Sequence, residues 1–363
     1  MKFIYKTINC LIKKRHNRSI KKMFKNYFTK INRLNNFQNI DDDNLKRWRT
    51  KWGIFKQTPL KEEYIAYRNY AGDNVDIVPN EIARCYIEPI LTPKEFQPFY
   101  NDKNSFGLIL PEEIMPKTYL RSINGILYDG EYNPVNLSLF NDLFESSERL
   151  IVKPSRDMGG HGVSLFYKKA DDYYDNKGNK LSIEFLLSSF KSNFLIQECL
   201  KQSPYMSQFN PTSVNTIRMA TYRDVKTGEI HVLGAVLRIG GKGAFVDNAC
   251  SGGSFVGINT NGTLGKYACN QYGQTSYVYN DIDFSTSSFT IPNYDDIKVF
   301  AKSVAKRLPH MSLLANDIAI DENGEPKLIE VNTTDFSYWL YQFNGVAALG
   351  TYTDDIISYC KKE

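Results

Sequence analysis

The stretch DIAIDENGEPKLIEVN, residues 317–332, sets Asn323-Gly324 between two apolar runs. Asn-Gly in that setting is a strong hairpin signal, because both central residues of a type I′ turn need φ > 0. With Asn323 and Gly324 as the two turn residues, Asp317 lies directly opposite Glu330 on one face of the hairpin. Asn332 joins them there, because side chains alternate along a strand. Two carboxylates that face each other repel unless a cation lies between them. Magnesium suits that arrangement, since it takes one or two carboxylates plus substrate phosphates and keeps its other positions for water. Asp317, Glu330 and Asn332 are therefore candidate metal ligands; the plainer reading is a solvated hairpin with acids on its wet face.

A second stretch, LIVKPSRDMGGHGV at 150–163, places Lys153 at a strand end and then Gly159, Gly160 and Gly162 around His161. Glycines let backbone N–H groups approach an anion closely, and a fixed lysine neutralises its charge. The pattern is neither a Walker A loop nor a Gly-x-Gly-x-x-Gly dinucleotide turn. A strand follows the glycines, so the stretch reads as a hairpin flap over phosphates, with an ordinary turn as the alternative. His161 reads as a polar turn residue.

The chain has 363 residues and is 42% hydrophobic, enough for one or two domains. Six cysteines, at 10, 85, 199, 250, 269 and 360, are scattered, and the four histidines have no zinc-ligand spacing, which points to the cytosol. No run of eighteen apolar residues suggests a span. Residues 1–36 carry eleven Lys and Arg and no acid, with Ile4, Ile8, Leu11, Met23, Tyr27, Ile31 and Leu34 at helical spacing. This is a basic amphipathic helix or pair of helices. It either packs on the main domain with solvated lysines, lies on an anionic membrane at its inner face, or docks on an acidic partner. The remainder is near neutral and has no nucleic-acid motif.

Residues 45–70 read as helical, and prolines then punctuate a stretch of short irregular elements up to Pro116. Strands are predicted at 150–153, 163–167, 194–197, 216–222 and 231–239, and helices at about 181–190, 294–307 and 338–359. Runs of strands with helices between them argue an α+β fold.

Three features in this order, Lys153 with its glycine flap, Gln197-Glu198-Cys199-Leu200, and Asp317…Glu330-x-Asn332, resemble the ATP-grasp superfamily. IVKPSRDMGGHGV is similar to the corresponding run of D-alanine:D-alanine ligases. The chain is still more similar to the sugar-transfer-associated ATP-grasp proteins of polysaccharide biosynthesis. That likeness rests on Asn210-Pro-Thr-Ser-Val-Asn215-Thr-Ile-Arg218, on Val246-Asp247-Asn248 with Ser251-Gly252-Gly253, and on Gln342. Tyr205 stands where a histidine is expected.

The resemblance implies two α+β subdomains clasping ATP, at about 100–190 and 191–363 of a domain covering 61–363; the helical basic extension at 1–60 lies outside it. It implies Lys103, of Asp102-Lys103, as a second phosphate lysine beside Lys153, and Gln197, Glu198 and the backbone of Leu200 at the adenine edge. It places Mg²⁺ on Asp317, Glu330 and Asn332. The implied reaction is carboxylate activation by ATP, in which an amine attacks an acylphosphate, with a surface glycan or its precursor as the modified species. A silent nucleotide-binding scaffold and a kinase are the alternatives. Arg218 and Arg238, near the ends of β runs, have the guanidinium fork that suits a carboxylate or phosphoryl group. Asn248 with Gly252-Gly253 suits a tetrahedral oxyanion. Tyr338 and Trp339 either line an acceptor pocket or belong to the core.

Overall fold

A computed structural model describes residues 2–136, 140, 142–144, 146–156, 162–243, 247 and 252–362, with the backbone alone at 2–10. Two antiparallel sheets carry the molecule. The smaller contains β1 (Thr118–Ile123), β2 (Ile126–Asp129), β3 (Arg149–Pro154), β4 (Ser164–Lys169), β5 (Asp172–Asp175) and β6 (Phe194–Glu198), in the order β2-β1-β6-β3-β4-β5. Its central strands put Leu120, Leu150, Val152, Phe194 and Ile196 into one core with Leu186 of the helix Ile183–Phe190. Side chains alternate along a strand, so the opposite face, carrying Arg121, Lys153 and Leu195, is left for other work.

The larger sheet contains β7 (Thr216–Arg223), β8 (Ile230–Ile239), β9 (Ser254–Ile258), β10 (Ala268–Cys269) and β11 (Thr275–Ser276). A small ribbon of β12 (Val278–Tyr279) and β13 (Ile282–Asp283) follows, then β14 (Leu313–Ile320) and β15 (Pro326–Asn332). The order is β11-β10-β9-β8-β7-β14-β15. Ile217 and Met219 of β7 pack on Ile297 and Ala301 of the helix Tyr294–Lys306. Ala220 and Tyr222, on the other face, meet residues from the N-terminal region and from 336–360.

That N-terminal region is α1 (Lys2–Leu34), α2 (Asp43–Trp52) and α3 (Lys61–Ala71). The first is one continuous helix, not a pair. Phe28, Ile31, Trp48, Trp52, Tyr64 and Tyr67 are fully buried in the same core as Ala220 and Tyr222. Trp48 and Trp52 donate their indole N–H groups to the carbonyls of Ile77 (2.7 Å) and Val75 (3.0 Å), satisfying the polar tips of large buried rings. The region from Phe24 on is thus built into the core of the larger sheet.

Strand and helix expectations held for β3, β4, β6, β7 and β8 and for Tyr294–Lys306. The stretch around 118–129, beyond the proline-punctuated elements and without an expected strand, is the hairpin β1–β2. Its turn is Asn124-Gly125, with φ of 53° and 85° and Ile123 paired to Ile126, the two-residue type I′ geometry. The helix expected over 338–359 is broken. It runs from Tyr338 to Gln342 and resumes at Thr353–Lys362, because Gly345 and Gly350 between them adopt φ of 79° and 54°.

Candidate functional site

The hairpin of β14 and β15 has a three-residue turn, not the two-residue type I′ turn. Gly324 alone of the turn has positive φ (87°), and the Gly324 N–H donates to the Asp321 carbonyl at 3.0 Å. The Asp321 carboxylate accepts the N–H groups of Asn323 and Glu325, both at 2.9 Å. This is a type I turn closed by a left-handed glycine. Near the turn the pairing is therefore shifted by one residue, with Ile318 opposite Leu328 and Ile320 opposite Pro326. A one-residue slip would send every side chain to the wrong face. A bulge next to Asp317 and Ile318 cancels it, so that Asp317 stands opposite Glu330 and Ala315 opposite Asn332.

The two carboxylates do face each other, but each already holds cations of the protein. Arg218, in register with Asp317 on the neighbouring β7, closes a fork on it, with Nε to Oδ1 and Nη2 to Oδ2 both at 2.7 Å. Arg238 on β8 adds Nη1 to Oδ2 at 2.9 Å and reaches Asp247 through Nη2 at 3.0 Å. Asp247 also accepts the backbone N–H (3.1 Å) and hydroxyl of Thr216. Asp317 is only 3% exposed. Burial pushes its carboxyl upward, but Arg218 and Arg238 outweigh that and hold it far below the usual range. Both arginine forks proposed for substrate are thus engaged with buried carboxylates.

The motif preceding Arg218 works on backbone. Asn210 Nδ2 donates to the carbonyls of Gly240 and Gly241, both at 3.0 Å. Asn215 Nδ2 donates to Met206 O at 2.8 Å and Asn210 O at 3.0 Å. Together they hold the loop that starts β7 two residues before Arg218.

Glu330 accepts Lys103 Nζ at 2.8 Å through Oε1. Lys103 is placed by the turn that contains it. Asp102 accepts the Asn104 N–H (3.0 Å) and pairs with Arg156 (2.8 Å), and the Lys103 N–H donates to Ser155 O at 2.8 Å, next to Lys153. Lys153 and Arg121 both pair with Leu195, from opposite sides, and so project from the same face of the smaller sheet. They meet Lys103 in a cleft also lined by Thr118, Gln197 and Ile329.

Among the described residues Lys153 has no hydrogen bond or ion pair, and the carboxylate that acts on it, Glu330, is itself bonded to Lys103. Burial, and then the neighbouring Lys103, push its ammonium down to about 7. Arg121 is 3% exposed, lies over the Tyr132 ring at 4.7 Å, and makes one long bond to Lys103 O at 3.4 Å. Its Nε is buried without a partner among the described residues, and burial depresses its pKa. Arg121 is not among the sequence candidates because no strand is expected there between Pro116 and Leu150. A charged residue inside the apolar run TYLRSI, ahead of Asn124-Gly125, was the available signal.

Gln197 is buried and donates Nε2 to Thr118 Oγ1 at 2.9 Å, while Glu198 accepts the Lys117 N–H at 2.8 Å. Both side chains therefore fasten β6 to the segment entering β1. The Leu200 N–H and C=O, just beyond, have no partner among the described residues. Gly162 has φ of 73°, while Gly159, Gly160, His161, Asn248 and Ser251 lie outside the described residues. Tyr338 belongs to the core. Gln342, fully buried, brackets Val78 by accepting its N–H at 2.6 Å and donating to its carbonyl at 3.1 Å.

The donor set fits Mg²⁺ in kind. Two carboxylates and an amide are hard oxygen donors, and Glu330 Oε2 and Asn332 Oδ1 have no partner among the described residues. Asn332 Nδ2 donates to Ala315 O and Asp317 Oδ2, both at 3.2 Å, which turns Oδ1 away from Asp317. Among the described residues no group of three His, Cys, Asp or Glu is arranged for a metal; the triplet has two.

The chain is similar to several solved structures. D-alanine–D-alanine ligase from Bacillus anthracis is 17% identical, with a TM-score of 0.38, over 73% of this chain and 68% of that one. D-alanyl-alanine synthetase A from Vibrio cholerae is 13% identical, TM-score 0.38, over 72% and 64%. N5-carboxyaminoimidazole ribonucleotide synthetase from Thermotoga maritima is 11% identical, TM-score 0.36, over 69% and 48%. The chain therefore spans from about half to two thirds of the length of these proteins. No curated protein matches it. The sequence model of the sugar-transfer associated ATP-grasp family matches residues 83–355, beginning later than residue 61 and covering most of the chain. The protein belongs to that family, with an ATP-grasp fold preceded by a helical N-terminal region.

Proposed function

We propose that the protein is an ATP- and Mg²⁺-dependent ligase that joins a carboxylate to an amine. The observation that carries this reading is the convergence of Lys103, Arg121 and Lys153 on one cleft beside Glu330, whose carboxylate acts on Lys153 but is bonded to Lys103. Cations crowded together in a half-buried cleft beside a single bonded carboxylate are costly, and a bound anion relieves that cost. A triphosphate supplies one. Lys103, Lys153 and Arg121 would hold its phosphates, and the unpaired Leu200 backbone would read the adenine edge. Glu330 and Asn332, with Asp317 behind them, would hold Mg²⁺, which neutralises phosphate charge. Gly159, Gly160 and Gly162 as a phosphate flap, and Asn248 as an oxyanion donor, rest on sequence alone.

In the proposed reaction a substrate carboxylate oxygen attacks the γ-phosphorus and ADP leaves. An amine then attacks the acyl carbon of the acylphosphate, inorganic phosphate leaves, and the amine loses a proton. Arg218 and Arg238 contribute by fixing Asp317 on the metal side of the hairpin. The family's name, sugar-transfer associated, supports a surface polysaccharide or its precursor as the modified species.

Incubation with ATP, Mg²⁺, pooled amino acids and uronic acids tests the reading. ADP and phosphate should appear in equal amounts with an amide product, and Glu330→Gln should lower the rate by about 10²-fold. Acceptor-independent rates that are identical in parent and variant would overturn it. A phosphorylated product without phosphate release would make the protein a kinase.

Nucleotide binding should also take up a proton. Lys153 titrates near 7 in the free protein, and bound phosphates favour its charged form. Affinity should therefore fall as pH rises above about 7, by at most about tenfold per pH unit, and calorimetry in buffers of different ionisation enthalpy should register the uptake. Lys153→Arg should bind without that slope.

A further inference from the structure

We propose that the free half of α1 is a docking helix for an anionic lipid bilayer. Residues 11–19 of this helix present a different face from residues 20–31. Ile20, Phe28 and Ile31 are buried in or against the body, whereas residues 11–16, 18 and 19 are all exposed. Leu11 and Ile12 are 60% and 61% exposed. At about 100° per residue, Leu11 points roughly 180° away from Ile20 and Ile31. In the sequence Ile4 and Ile8 precede Leu11 at helical spacing. Among the described residues Leu11 and Ile12 are thus turned away from the side that packs on the body and are left exposed.

Cations share that outward side. Lys14, Arg15, Arg18 and Lys22 fall within about 60° of Leu11, all are exposed, and none has an ion pair among the described residues. No acid occurs in the first forty residues to neutralise them. Cations that merely solubilise a helix do not require exposed aliphatic residues among them. A bilayer with anionic headgroups takes both, with the aliphatics entering the headgroup boundary and the cations lying on the phosphates. The helix lies on such a surface without crossing it, since no described helix is long and apolar enough to span a membrane.

Sedimentation of the full chain with vesicles of phosphatidylcholine containing about one third phosphatidylglycerol, against phosphatidylcholine alone, tests this. The parent should bind the anionic vesicles only, and less so when salt rises from about 0.1 M to about 1 M. Reversing three charges together, as Lys14→Glu, Arg15→Glu and Arg18→Glu, should weaken binding at least about tenfold. Leu11→Ser with Ile12→Ser keeps the charge and should still weaken it by about fivefold or more. Both variants change exposed positions and should keep the parent's Tm. Three outcomes would overturn the proposal: no binding of the parent to anionic vesicles, full binding of the Leu11 and Ile12 variant, or displacement of the parent from vesicles by single-stranded RNA that the same variant binds equally well.

Discussion

Lys153→Met should abolish nucleotide-dependent turnover, lowering it by about 10²–10³-fold, and should at the same time raise the Tm of the nucleotide-free protein. The two effects have one cause. In the free protein burial and then the neighbouring Lys103 hold the Lys153 ammonium down to about 7, because Glu330, bonded to Lys103, offsets them only in part. A folded-state value below the unfolded one means that the unfolded chain binds the proton more tightly. The penalty is therefore fully present below about pH 7 and is relieved as pH rises toward the unfolded value of about 10.4. Methionine keeps the length of the stem and removes the charge, so the penalty disappears at every pH. Bound triphosphate needs that charge, so nucleotide should stabilise the parent and leave the variant's Tm unmoved. A variant that is less stable than the parent at pH 7 and still hydrolyses ATP would show that Lys153 is structural.

Asp317→Ala should cost about 3–5 kcal/mol of stability, through two buried guanidiniums left without their shared carboxylate. Arg218 has both of its forked bonds on Asp317, and Arg238 has one of its two. Denaturant unfolding of Asp317→Ala beside Glu330→Gln separates support from chemistry. Glu330 is partly exposed and among the described residues its one ion pair is with Lys103, so Glu330→Gln should keep most of its stability and lose turnover. Equal stability losses in the two variants would mean that the arginines do not depend on Asp317. The Asp317 contribution should also vanish in acid, because a carboxyl held below its unfolded value adds stability above that value and loses it as pH falls.

Much of this site was legible because its signals are local. Lys153 at a strand end and Glu330-x-Asn332 on one strand need only strand periodicity to be placed. Asn-Gly shows the limit of that reasoning. At Asn124-Gly125 it makes the two-residue type I′ turn, whereas at Asn323-Gly324 the Asp321 carboxylate captures two N–H groups and gives a three-residue turn. Asp317 still meets Glu330 only because a bulge absorbs the extra residue, a tertiary compensation that the dipeptide does not encode.

Arg121 lies where no strand is expected from sequence, and its importance comes from Leu195, which aligns it with Lys153 across a strand 74 positions away in the chain. The arginine forks looked free in sequence because their partners Asp317 and Asp247 lie 99 and 9 residues off, respectively, on other segments. The core role of α1 to α3 was likewise non-local, since Phe28 and Trp48 find their neighbours on the larger sheet.

Calorimetric titration of Mg-ATP into the parent and Lys153→Met at about pH 8 addresses the central claim, that the cleft of Lys103, Arg121 and Lys153 is a nucleotide site. The parent should bind with uptake of close to one proton, and the variant should show neither the binding nor the uptake. A parent that binds no Mg-ATP, or a variant that binds it as the parent does, would contradict the account.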